Sequence, residues 1–66
     1  MEEIINELKA LREAKGLSIS EVARRMGTNY SRISEIENGR GGLTLKRLLN
    51  YADALGLKVI IKFEEK

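Results

Sequence analysis

Three patterns in this chain of 66 residues call for a mainly α-helical domain with one short strand at its end. Apolar residues recur every three or four positions through four successive segments, the period of a helix with one buried face. A glycine closes each segment, and no proline interrupts any of them. After Gly56 the period drops to two. The expected architecture is a bundle of four to five helices, with a helix-turn-helix inside it, followed by one β-strand.

In the first helix Ile4, Ile5, Leu8, Leu11 and Leu17 form the apolar stripe. Glu2, Glu3 and Glu7 gather near its N-terminus, where carboxylates complement the helix dipole. Lys15-Gly16 ends it, a basic last turn before a glycine C-cap. Ser18 and Glu21 open the second helix, about 18–26, as a capping box: the serine side chain takes the N–H three residues on, and the glutamate reaches back to the serine N–H. Val22 and Met26 give this helix its apolar face, and small Ala23 leaves room for a neighbour crossing at a steep angle. Gly27 supplies a positive φ and stops it. Thr28 or Asn29 caps the third helix, about 29–38. There Ile33 and Ile36 face inward, leaving Asn29, Tyr30, Ser31, Arg32, Ser34 and Glu35 outward or sideways. Asn38-Gly39 closes it, and Gly39-Arg40-Gly41-Gly42 is a flexible break. Thr44 caps a fourth helix in which Leu45, Leu48, Leu49, Ala52 and Leu55 form one face, ending at Gly56.

From Leu57 onward, Leu57, Val59, Ile61 and Phe63 alternate with Lys58, Ile60 and Lys62. Period two with β-branched residues describes a strand. A lone strand has no ladder partner within a helical domain, and its unpaired N–H and C=O groups are costly to bury. The economical partner is the same strand of a second copy, antiparallel about a twofold axis. That reading makes residues 1–56 the helical body and 57–66 a dimerisation strand and tail, with Leu57, Val59, Ile60, Ile61 and Phe63 at a homodimer interface. The competing reading is a frayed tail whose alternation is accidental.

Composition narrows the function. A chain this short makes one small domain, burying only about 60% of its unfolded surface. It has no cysteine and no histidine, so there is no disulfide framework, no thiolate metal site and no ordinary general base. No cofactor is implied and no catalytic constellation is present, so the expectation is not an enzyme. No apolar run approaches a membrane span and no signal peptide precedes the first helix, so a cytoplasmic protein without a membrane partner is expected. The net charge is only +2. Its distribution is uneven: Arg24, Arg25, Arg32, Arg40, Lys46 and Arg47 face only Glu21, Glu35 and Glu37 between residues 18 and 47. Basic and acidic side chains nearly cancel on either side. Such a concentration suits a phosphate-facing surface, although short solvated helices are often arginine-rich for no further reason.

The segment from Ser18 to Gly39 resembles the helix-turn-helix of the phage-repressor-like family, the Cro and xenobiotic-response-element type. Ala23, Gly27, Val22, Met26, Ile33 and Ile36 all match its pattern. Leu11-Arg12 with Gly16-Leu17-Ser18 resembles the family's lead-in, and Ile36-Glu37-Asn38-Gly39-Arg40 with Leu48-Leu49 and Ala52-Asp53-Ala54-Leu55-Gly56 resembles its exit. The likeness covers roughly residues 8 to 56 and implies a lambda-repressor-like bundle. The chain departs where the family commonly continues into a fifth helix. It departs again at Ile19, a place where the family commonly carries glutamine. The resemblance also implies an ion pair of Arg12 with Glu37, tying the first helix to the end of the third.

A helix of this kind fits the major groove of double-stranded DNA and touches base edges with its N-terminal residues. Here those are Asn29, Tyr30, Ser31, Ser34 and Glu35. The resemblance favours Tyr30, Ser31 and Glu35. Glu35 either accepts from cytosine N4 or pairs with Arg32 three residues before it. Phosphate contacts fall to Arg32, Asn38, Arg40, Lys46 and Arg47, to the helix N-termini near Ile19 and Thr44, and to Arg12 at the edge of its pair. Arg24 and Arg25 are expected to be only solvated.

The function expected is a sequence-specific DNA-binding transcriptional regulator, a repressor holding a palindromic operator as a homodimer. One alternative is the antitoxin of a toxin–antitoxin module, with a cognate toxin as a further partner. Small domains of this family that end in a dimer-forming strand resemble several such antitoxins. Another alternative is a protein-interaction module that does not bind DNA.

Overall fold

Caps and apolar spacing set four helices in a computed structural model that describes residues 2–66: α1 (Glu2–Ala14), α2 (Ile19–Met26), α3 (Tyr30–Glu37) and α4 (Leu45–Ala54). Ser18, Asn29 and Thr44 each cap the following helix, accepting from the backbone N–H of Glu21, Arg32 and Arg47 at 3.1, 2.9 and 3.1 Å. Asn29, rather than Thr28, is thus the cap of α3. The capping box before α2 is only half made. The Glu21 carboxylate takes the Arg24 guanidinium at 2.7 Å instead of turning back to Ser18, because an exposed cation one turn along its own helix competes for it.

Gly27 stands at φ +69°, and its backbone N–H bonds to the end of α2. That left-handed turn sends α3 back across α2, as a non-glycine residue would do only under strain. Val22 and Ala23 of α2 then bury against Ile33 and Ile36 of α3, Leu8 of α1, and Tyr51, Ala54 and Leu55 at α4. Val22, Ile33 and Tyr51 are fully enclosed. The buried side of α1 is narrower than its stripe. Ile5 and Leu8 are buried, whereas Ile4 is exposed.

The inward face of α4 differs from the expected one. Leu45 and Leu49 are 55% and 44% exposed, while Tyr51 is at 0%. The arc that meets α2 runs through Leu48, Tyr51, Ala52 and Leu55, and Leu45 and Leu49 fall on its outer edge at 3.6 residues per turn. Arg25, expected to be solvated, donates to the Ala54 carbonyl at 3.0 Å and so ties α2 to the end of α4.

No strand forms among the described residues. Residues 57–66 have no regular secondary structure, and Leu57 N–H, bonding to Ala52, is the last of their backbone groups to find a backbone partner. A strand needs a ladder partner, and a single copy supplies none, so alternation alone does not make one here. Leu57 and Val59 are nevertheless half-buried, lining a groove of about 290 Å³ with Ile4, Leu8 and Leu11 of α1 and Leu48 and Ala52 of α4. Ile60, Ile61 and Phe63 are exposed, Phe63 at 93%. No helix among the described residues is long and apolar enough to cross a membrane.

Candidate nucleic-acid interface

The outward face of α3 follows from what its inward face must do. Ile33, Ile36 and Glu37 are drawn into the body, so Tyr30, Ser31, Arg32 and Glu35 are left exposed with Ser34 half-buried. Tyr30 is the first residue of the helix and is 55% exposed. Asn29 spends its side-chain oxygen on the Arg32 N–H, which leaves its amide nitrogen free. The Asn38 amide donates to Ser34 Oγ at 3.3 Å, tethering Ser34 to the end of the helix.

Around this face lie the expected cations. Arg32, Arg40 and Lys46 are exposed, and none has an ion-pair partner among the described residues. The intrahelical pair of Arg32 with Glu35 is not formed. The Glu35 carboxylate instead faces the glycine loop, where a side chain at Gly41 would meet it at 4.0 Å and the Arg47 guanidinium at 3.8 Å. Arg47 folds back over that loop, donating to the carbonyls of Gly41 and Gly42 at 3.1 and 3.0 Å. Gly39, Gly41 and Gly42 all adopt left-handed φ near +73°, which glycine does without strain. The loop carries Arg40, whose backbone N–H bonds to Glu35 at 2.8 Å. Thr44 caps α4 beside it, with Lys46 in the first turn.

Ile19 is half-buried and packs on the core, so at that position only backbone is available to a phosphate. Arg12 is turned away from the surface at 7% exposure. Its Nε and Nη2 donate to the two oxygens of Glu37 at 2.7 and 3.1 Å, and Nη1 donates to the Leu17 carbonyl at 2.8 Å. These bonds leave it little capacity for a phosphate. The pair implied by the family likeness is thus present and bidentate, and the hydrogen bonds that Arg12 donates to Glu37 raise its pKa against the lowering effect of burial.

Sequence reasoning missed a third member of this cluster. The Tyr51 hydroxyl donates to Glu37 Oε2 from the opposite side of the core. Burial first, and then the bond to Glu37, push its pKa well above the usual tyrosine range, so it stays protonated as a donor. Tyr51 was not on the expected inward face of α4, and nothing local announced the partner of its hydroxyl.

A helix-turn-helix family model matches residues 8–60, which is most of the chain and takes in the second half of α1 and all of α2, α3 and α4. The chain belongs to the phage-repressor-like helix-turn-helix family. Within that family it is similar to the "Uncharacterized HTH-type transcriptional regulator y4dL" of Sinorhizobium fredii, with 38% identity over 60 residues. The similarity covers 91% of this chain and 31% of the relative, so the chain spans about a third of that protein's length. No solved structure matches the chain. In the helix-turn-helix, α2 and α3 are the paired helices, Gly27 is the turn and α3 is the exposed second helix.

Proposed function

We propose that this domain binds double-stranded DNA in the major groove through α3 and acts as a sequence-specific transcriptional repressor. The observation that carries the reading is the exposed N-terminal half of α3, with three nearby cations that have no ion-pair partner among the described residues. Tyr30 and Ser31 read bases, Tyr30 by packing its ring on a thymine methyl and Ser31 by a hydroxyl bond. Asn29 and Ser34 flank them. Glu35, unpaired within α3, is the acceptor for a cytosine amine. Arg32, Arg40 and Lys46 hold phosphates, with Asn38, Arg47 and the backbone N–H groups near Ile19 and Thr44 completing the footprint. Arg12 serves by fixing the end of α3 through Glu37 rather than by touching DNA.

The same reading makes the protein a homodimer. Residues 58–63 carry backbone groups without hydrogen-bond partners and three exposed large apolar side chains, Ile60, Ile61 and Phe63. Pairing with the same segment of a second copy satisfies both at once. Two recognition helices related by a twofold axis require half-sites about 34 Å apart, hence a palindromic operator. Bound across a promoter in this way, the domain represses by occluding it.

Selection of bound duplexes from a random pool tests this directly. Enrichment of a twofold-symmetric sequence is expected, and Tyr30→Ala should alter the preference at particular base pairs. A pool that shows no enrichment would refute sequence-specific binding.

A further inference from the structure

The Glu37 carboxylate is the point where the helical elements meet. Arg12 reaches it from α1 and also holds the Leu17 carbonyl just before α2, while Tyr51 reaches it from α4. Glu37 is the last residue of α3. We propose that the Tyr51 hydroxyl is a positioning group that sets the angle at which α3 is presented, an inference that rests on α3 being the DNA-reading helix.

The geometry of the ion pair explains why a third donor is needed. A guanidinium fork is planar, and a bidentate pair fixes the carboxylate's distance and plane relative to α1. It leaves α3 able to pivot about the axis of the pair. A donor anchored on a different helix removes that freedom, and Tyr51 is anchored well because its ring is fully enclosed in the core. The cluster is saturated: among the described residues no buried side-chain nitrogen or oxygen lacks a partner.

Small pivots have large effects at the other end of the helix. Tyr30 lies seven residues from Glu37, about 10 Å along the axis at the α-helical rise. A tilt of about 10° would move Tyr30 by about 2 Å, enough to break a base hydrogen bond with its narrow distance range. Long, flexible Arg32, Arg40 and Lys46 would still reach phosphate. Loss of the hydroxyl should therefore cost discrimination between sequences and leave general affinity for DNA nearly intact. If Tyr51 only fills space, phenylalanine would serve equally well.

The test compares the full chain with Tyr51→Phe at a temperature where both are folded. Affinity for the selected duplex should fall about tenfold, the expected scale for a hydrogen bond to a charged group. Affinity for a random duplex should stay within about twofold, because phosphate contacts carry it. Residual dipolar couplings should show α3 rotated relative to α1 and α4. An unchanged ratio of affinities together with an unchanged helix angle would overturn the proposal. In a Glu37→Ala background, which leaves the hydroxyl no acceptor there, Tyr51→Phe should alter the ratio no further; an undiminished effect would refute the route through Glu37. Should the wild type show no preference among duplexes, the DNA reading fails and the helix angle alone decides the role of Tyr51. Should Tyr51→Phe not fold, the wild-type spectrum decides: a slowly exchanging Tyr51 hydroxyl proton is expected, and its absence would overturn the proposal.

Discussion

Arg40→Ala tests the charged rim of the interface quantitatively. Arg32, Arg40 and Lys46 are the exposed cations beside α3 without ion-pair partners among the described residues. If each neutralises one phosphate, a dimer neutralises about six, and counterion release gives a slope of log affinity on log salt of about −5. Between 50 and 200 mM salt the affinity should then fall about a thousandfold. Arg40→Ala removes one contact from each protomer and should bring the slope to about −3.5. The weakening should be nearly equal for selected and random duplexes, because phosphates carry no sequence information. Fluorescence anisotropy of a labelled duplex across a salt series measures both quantities. A wild-type slope near zero would refute the phosphate-facing surface and favour a protein-interaction module. An unchanged slope in Arg40→Ala would remove the glycine loop from the interface.

Three further outcomes follow from the fold. Ile61→Glu places a carboxylate in the segment held to pair between copies, so sedimentation should show monomers, and an unchanged dimer mass would refute that pairing. Gly27→Ala should destabilise the domain by about 1 kcal/mol in urea unfolding; nothing lies within 4 Å of the added Cβ, so the loss comes from the left-handed backbone alone, and no loss would mean that the turn relaxes. Tyr51 contributes a pH dependence with a definite sign. Its pKa is raised in the folded state, so its contribution is fully present below the ordinary value of 10.0 and is lost as pH rises beyond it. Wild-type stability should fall more steeply than that of Tyr51→Phe above pH 10 and run parallel to it between pH 7 and 9; identical curves would contradict the buried donor.

What could be read in advance was what is encoded locally. Ser18, Gly27 and Asn29 act on backbone within a few residues of themselves, so α2, the turn and α3 were legible from spacing alone. The face of α4 was less so, because Leu45, Leu48 and Leu49 offer two overlapping apolar arcs. Only packing against α2 chooses between them, and it selects the one that contains Tyr51. The partners of two exposed carboxylates were hard to read for a related reason: Glu21 takes Arg24 instead of the Ser18 N–H, and the optional pair of Glu35 with Arg32 does not form. Glu21 and Glu35 each had more than one cation within reach, and exposed pairs differ by too little energy for spacing to decide. Arg25 bonds to a carbonyl 29 residues away, a contact with no local signature. The alternation from Leu57 to Phe63 points to a strand that the structure of one copy does not contain. The segment is irregular there; residues 57–61 line the groove, but only Leu57 and Val59 among them are half-buried.

The insertion of α3 into DNA is tested most directly by titrating the isotope-labelled protein with its selected duplex and following backbone amide resonances. The largest shifts should fall on residues 29–35, on the loop around Arg40 and on the first turn of α4. Shifts confined to α1 and residues 57–63, with Tyr30 and Ser31 undisturbed, would contradict the account.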